Sequence, residues 1–147
     1  MFMYVPRSLT KFIVVHCSAT RPSVDIGEDE IRKWHIAKAW VDIGYNIVIR
    51  RNGVIEIGRP LDYRGAHVEG YNDSSIGICL IGGLDDAGKS APSFTDAQWE
   101  SLKLALRFCK RVWPNADILG HRDFPGVAKD CPCFDVEPWV AANLPDL

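Results

Sequence analysis

Eight consecutive residues, Ser75-Ile76-Gly77-Ile78-Cys79-Leu80-Ile81-Gly82, carry no charge and show no alternation of polar with apolar side chains. A strand that is apolar on both sides must be covered on both faces, the habit of interior strands in sheets flanked by helices. Phe12-Ile13-Val14-Val15 is a second β-branched run, closed by His16 and by the turn-prone Ser18-Ala19-Thr20-Arg21-Pro22-Ser23. Tyr45 to Arg50 and Val54 to Ile57 flank Arg51-Asn52-Gly53, and Asn-Gly is a strong hairpin signal, so these two strands are expected to pair antiparallel. Asp117-Ile118-Leu119-Gly120 offers one more short strand.

Helical patterns fall between these runs. From about Gly27 to Trp40, acidic Glu28, Asp29 and Glu30 favour a helix start, and Ile31, Trp34, His35 and Lys38 share one stripe. Thr95 with Gln98 three residues later forms a capping box, ahead of an apolar face of Trp99, Leu102, Leu106, Cys109 and Trp113 that Pro114 ends. After Asp135, Pro138 and Trp139-Val140-Ala141-Ala142 read as a short final helix with proline in its first turn. The expected fold is α/β: a single domain over 1–147 with a mixed central sheet of about five strands flanked by helices. Gly58 to Asp73 is left as a loop, long enough to suggest a functional role.

Composition narrows the classes. A net charge of -2 gives no electrostatic case for nucleic-acid binding. No stretch approaches the roughly 18 apolar residues of a membrane-spanning helix. The N-terminal residues lack the basic start and apolar run of a signal peptide, so the chain is expected to stay in the cytoplasm where it is made and to need another agent for release. Five cysteines cannot all pair within one chain, and Cys17, Cys79 and Cys109 are expected to be small buried hydrophobes.

The chemistry concentrates in Gly120-His121-Arg122-Asp123 and the nearby Lys129-Asp130-Cys131-Pro132-Cys133. An imidazole, an ammonium and two thiols in one turn-rich segment are the makings of a zinc site that lacks one ligand. His16, delivered by the end of a strand, is the natural candidate. Three ligands of the His, His, Cys kind leave one zinc position open for water, whose pKa the ion brings down to about 7, which suits hydrolysis of an amide or ester. His121 and Cys131 are ten residues apart and form no standard zinc motif, so spacing alone leaves both the metal and the choice between Cys131 and Cys133 open. His35 is expected to be a hydrogen-bonded structural histidine, and His67 is either solvated or a wall of a site.

Several ordered pieces are similar to one known family: Val15-His16-Cys17-Ser18-Ala19-Thr20, Ile31-Arg32-Lys33-Trp34-His35, Gly44-Tyr45, Gly58-Arg59, Gly65-Ala66-His67, Gly70-Tyr71-Asn72, Ser75-Ile76-Gly77-Ile78, Gly120-His121-Arg122-Asp123, and Lys129 with Cys131-Pro132. Over nearly its whole length the chain resembles the type-2 N-acetylmuramoyl-L-alanine amidases and peptidoglycan recognition proteins, in particular the short phage lysozymes. The resemblance implies one zinc ion on His16, His121 and Cys131, catalytic Tyr45 and Lys129, and His67 and Arg59 toward the substrate. It further implies hydrolysis of the amide between the lactyl group of N-acetylmuramic acid and L-alanine, as a phage or prophage endolysin. Such a protein acts on bacterial peptidoglycan after release, as a monomer and without a separate wall-binding domain. Family members that bind peptidoglycan without cutting it typically lack the cysteine ligand, so Cys131 favours an enzyme over a binding module. A regulatory protein partner is left open. One departure stands out: Cys133 occupies a place where the family usually has a small residue such as Ser or Gly, and it could oxidise with Cys131.

Overall fold

The computed structural model describes residues 4–147. Five strands form one sheet in the order β3-β2-β4-β1-β5, where β1 is Phe12–Cys17, β2 Ile47–Ile49, β3 Ile55–Ile57, β4 Ser75–Leu80 and β5 Asp117–Gly120. Three helices flank it: α1 (Glu28–Ala37), α2 (Asp96–Val112) and α3 (Val136–Asn143). Only β2 and β3 run antiparallel, with Val48 opposite Glu56 as the hairpin signal requires. β1 pairs parallel with both β4 and β5, and β2 with β4.

Every residue of β4 is buried, as its unbroken apolar run demands. On one face of the sheet, Ile13, Val15, Ile47, Ile49, Ile76 and Ile78 pack against Leu102, Ala105, Leu106 and Cys109 of α2 and Val136 of α3. The capping box of α2 is formed, with Thr95 Oγ1 accepting from the Gln98 N–H at 3.1 Å and Gln98 Oε1 from the Thr95 N–H at 3.0 Å. The opposite face is divided. Ile31 of α1 packs with Ile43, Val48, Cys79 and Ile81, while Val14 packs with Val68 and Phe124, which come from loops.

Two elements, α1 and β2, differ most from the sequence expectation. α1 stops at Ala37, three residues short of Trp40, because Ala39 turns the chain through a left-handed conformation (φ 67°) and Trp40 folds back, its N–H bonding to the His35 carbonyl at 3.2 Å. The expected α1 stripe is accordingly narrower: Ile31 and His35 are buried, whereas Trp34 is 45% exposed. β2 is also shorter than expected: the Asn46 N–H still bonds to the Gly77 carbonyl of β4, but the Tyr45 and Asn46 carbonyls accept from the Arg59 and Gly58 N–H groups of the loop after β3. Asn46, fully buried, donates to the carbonyls of Pro60 and Tyr63 and accepts from the Gly77 N–H.

The long segment from Gly58 to Asp73 is therefore a loop, but a pinned one. Arg59 adds bonds to the Ile43 and Arg64 carbonyls at 2.7 and 3.1 Å, and the Ala66 N–H bonds to the Gly44 carbonyl at 2.9 Å. At that last contact two backbones touch: a Cβ on Gly44 would strike the Ala66 carbonyl, so glycine is needed to bring the loop in.

Candidate functional site

Parallel pairing sets the site. Val15 lies opposite Gly120, so the next residues, His16 and His121, emerge side by side at the C-terminal end of the sheet, where sheets of this kind place ligand-binding groups. Their ring centroids are 4.6 Å apart. Cys131 arrives from the loop after β5, which Arg122 ties down: its N–H bonds to the Cys131 carbonyl at 2.9 Å, and its guanidinium reaches the Asp130 carbonyl and the Asp135 carboxylate. Cys131 Sγ also accepts from the Cys17 N–H at 3.2 Å, which ties the sulfur to the end of β1.

One ligand atom each from His16, His121 and Cys131 lies within 4.8 Å of the other two, and Cys131 Sγ is 3.9 Å from His16 Nδ1. A tetrahedral zinc shell with bonds of about 2.0–2.3 Å sets its ligand atoms roughly 3.3–3.6 Å apart. The donor set thus fits one zinc ion after a small contraction. Both histidines are held as neutral rings, the form that ligates: burial pushes His16 well below its ordinary pKa, helped by neighbouring His67, and burial lowers His121, helped by the Lys129 ammonium. It is the only such cluster of three or more His, Cys, Asp or Glu side chains among the described residues.

Two adjoining hollows open beside these three side chains, of about 750 and 380 Å³. They share Trp40, Ala66, His67, His121 and Lys129. Tyr45 lines the smaller one, its ring centroid 5.1 Å from that of His16 and 5.7 Å from that of His35. Burial holds the Tyr45 phenol well above its ordinary pKa, with the thiols of Cys79, Cys131 and Cys17 adding to the effect, so it keeps its proton and remains a donor. Lys129 is exposed on the shared wall.

His67 reaches the cleft wall but is only 8% exposed, with Nδ1 2.8 Å from His16 Nε2. Arg59 lies elsewhere. Its side chain is 6% exposed, bonds to carbonyls within the loop, and is not part of either hollow's lining. His35 is hydrogen-bonded as expected, Nδ1 accepting from the Gly44 N–H at 2.8 Å, yet it also lines the smaller hollow.

Cys79 and Cys109 are fully buried and Cys17 is 5% exposed, yet Cys17 belongs to the site. Its Sγ is 3.9 Å from that of Cys133, whose thiol also meets the Gly83 carbonyl at 3.2 Å. The nearest thiol contact of Cys133 is thus Cys17 and not the expected Cys131. Sequence reasoning also missed Trp40 and Glu69 in the lining, since neither sits in a recognisable motif and both come into place through turns.

The family profile described as N-acetylmuramoyl-L-alanine amidase matches residues 6–134. An endolysin of Escherichia phage T7 is 43% identical over 137 residues, covering 93% of this chain and 89% of the phage protein. An endolysin of Enterobacteria phage K11 is 42% identical over 137 residues, again 93% of this chain and 89% of the relative. Among solved structures, the N-acetylmuramoyl-L-alanine amidase LysC from Clostridium intestinale shares the fold, with a TM-score of 0.79 and 24% identity over 97% of this chain and 93% of that one.

Proposed function

Since this chain belongs to the N-acetylmuramoyl-L-alanine amidase family, we propose that it is a zinc-dependent endolysin of phage or prophage origin. It hydrolyses the amide between the lactyl group of N-acetylmuramic acid and the L-alanine of peptidoglycan stem peptides. The observation that carries the zinc reading is the convergence of His16, His121 and Cys131 within 4.8 Å beside an open cleft. When bound, zinc supplies a Lewis acid for the scissile carbonyl and lowers the pKa of water to about 7.

The chain's own groups do the rest. Negative charge grows on the lactyl carbonyl oxygen during attack and must be met by donors already in place. Lys129, an ammonium on the cleft wall, serves there. Tyr45 keeps its proton and donates either to that oxygen or to the departing nitrogen of L-alanine. Cys17 contributes its backbone N–H to the Cys131 sulfur and so holds that side chain beside His16. Wall recognition rests on the two hollows beside the proposed ligands, of about 750 and 380 Å³.

The test is release of soluble fragments from purified walls by the zinc-loaded protein and by Cys131→Ser. The proposal expects release by the first and none by the second. Equal release by both excludes the ligand assignment.

A further inference from the structure

A histidine that holds a metal through one ring nitrogen must carry its proton on the other, and a neighbour usually decides which. His16 Nε2 lies 2.8 Å from His67 Nδ1, so one of these atoms donates and the other accepts. The far end of His67 settles the direction. Ser75 Oγ is 2.7 Å from the Tyr71 carbonyl and 3.3 Å from His67 Nε2. A carbonyl only accepts, so the Ser75 proton is committed to Tyr71 and its oxygen faces His67 as an acceptor. His67 Nε2 is then the protonated nitrogen, His67 Nδ1 the acceptor, and His16 Nε2 the donor. His16 Nδ1 is left with a lone pair, 3.9 Å from Cys131 Sγ.

We propose that His67 is a positioning residue: through a one-way chain from His16 to His67 to Ser75 to the Tyr71 carbonyl, it fixes His16 with Nδ1 bare for the metal. This rests on the metal-site reading above and adds a role distinct from contact with substrate. Both nitrogens of His67 are occupied within the protein, so neither is free to bind a sugar or peptide.

Two further features hold the ring in place. Gly77 of β4, opposite Val14, lies against it, and a Cβ at that position would sit 2.7 to 2.9 Å from His67 Cγ, Cδ2 and Nδ1. Only glycine leaves room for the ring. On the backbone side, Asn72 Oδ1 accepts from the N–H groups of His67 and Val68 at 2.8 and 3.0 Å. These bonds hold the stretch of backbone that carries the ring.

Two measurements test the role. In metal-free protein labelled with ¹⁵N-histidine, long-range ¹⁵N–¹H correlation spectra report which nitrogen carries each proton. The proposal expects protons on Nε2 of both His16 and His67, and a proton on Nδ1 of His16 overturns it. Zinc affinity is then read by competition with a chromophoric chelator. His67→Phe keeps ring bulk without an acceptor and is expected to lose about 10–100-fold in affinity. His67→Asn places an amide oxygen near the lost Nδ1 and is expected to recover most of that loss. Folded His67→Phe binding zinc as tightly as the wild type overturns the inference.

Should His67→Phe fail to fold, Ser75→Ala is the substitute, and the proposal expects it to mix the His67 tautomers; unchanged tautomers overturn the directional chain. If the wild type binds no zinc, the metal-site reading fails, while the tautomer spectra still decide the hydrogen-bond chain.

Discussion

Val15 of β1 lies opposite Gly120 of β5 in parallel register, and this single pairing brings His16 and His121 together. The positions of these two proposed ligands are therefore set by strand register. Removing zinc is expected to leave the far-ultraviolet circular dichroism unchanged. Free zinc at one hundred times its Kd should raise the unfolding free energy by about 2.7 kcal/mol, measured by urea titration. Cys131→Ser should fold and lose that increment. A metal-free protein without secondary structure would contradict the expectation.

Tyr45 and Lys129 border the cleft without belonging to the ligand set. Tyr45→Phe and Lys129→Met are each expected to keep wild-type zinc affinity and to lower kcat by about 10²-fold, the range typical of a positioned proton donor or charge. Steady-state assay beside a zinc titration separates the effects. A loss of zinc binding in either variant would place the residue in the metal shell instead.

His35 makes the fold sensitive to acid. Burial, aided by Lys38 and Arg59, lowers its pKa to about 4, while in the unfolded chain it returns to about 6.5. Between those values the unfolded state binds the extra proton, so this contribution is complete above pH 6.5 and is lost as pH falls toward 4. Each such histidine adds a slope of about 1.4 kcal/mol per pH unit in that window. His35→Gln, which cannot titrate, should flatten the acid limb of metal-free stability measured by urea unfolding. An unchanged limb would mean that His35 titrates normally.

Cys133 is unusual in its left-handed backbone (φ 74°) as well as in its thiol. Its thiol hydrogen-bonds the Gly83 carbonyl and faces Cys17. Burial and the nearby Cys17 push its pKa up to about 11, which leaves it a weak competitor for metal at neutral pH. Cys133→Ser keeps a donor for Gly83 and is expected to bind one zinc with unaltered affinity and activity. A changed stoichiometry in a metal titration would show that Cys133 takes part in ligation.

Much of this arrangement was legible in the residues. The unbroken apolar run of β4, the Asn52-Gly53 hairpin and the Thr95–Gln98 capping box each encode their structure locally, and each formed as expected. The ends of the parallel strands could be foreseen to carry His16 and His121 because each follows an apolar run directly. What escaped depends on contacts between distant segments. Ala39 carries no helix-stop signature, so the fold-back of Trp40 into the cleft wall was invisible. The family resemblance pointed Arg59 toward the substrate, whereas three-dimensional packing gives it carbonyls to satisfy. The thiol pair of Cys17 and Cys133 joins residues 116 positions apart, beyond any spacing rule.

The most direct test is mass spectrometry of purified peptidoglycan digested with the zinc-loaded protein, beside a chelator-treated sample and one restored with zinc. A zinc amidase predicts free stem peptides beginning with L-alanine, lost under chelator and regained with zinc. Intact muropeptides in all three samples, with the protein retained on the walls, would contradict the account and leave a binding module.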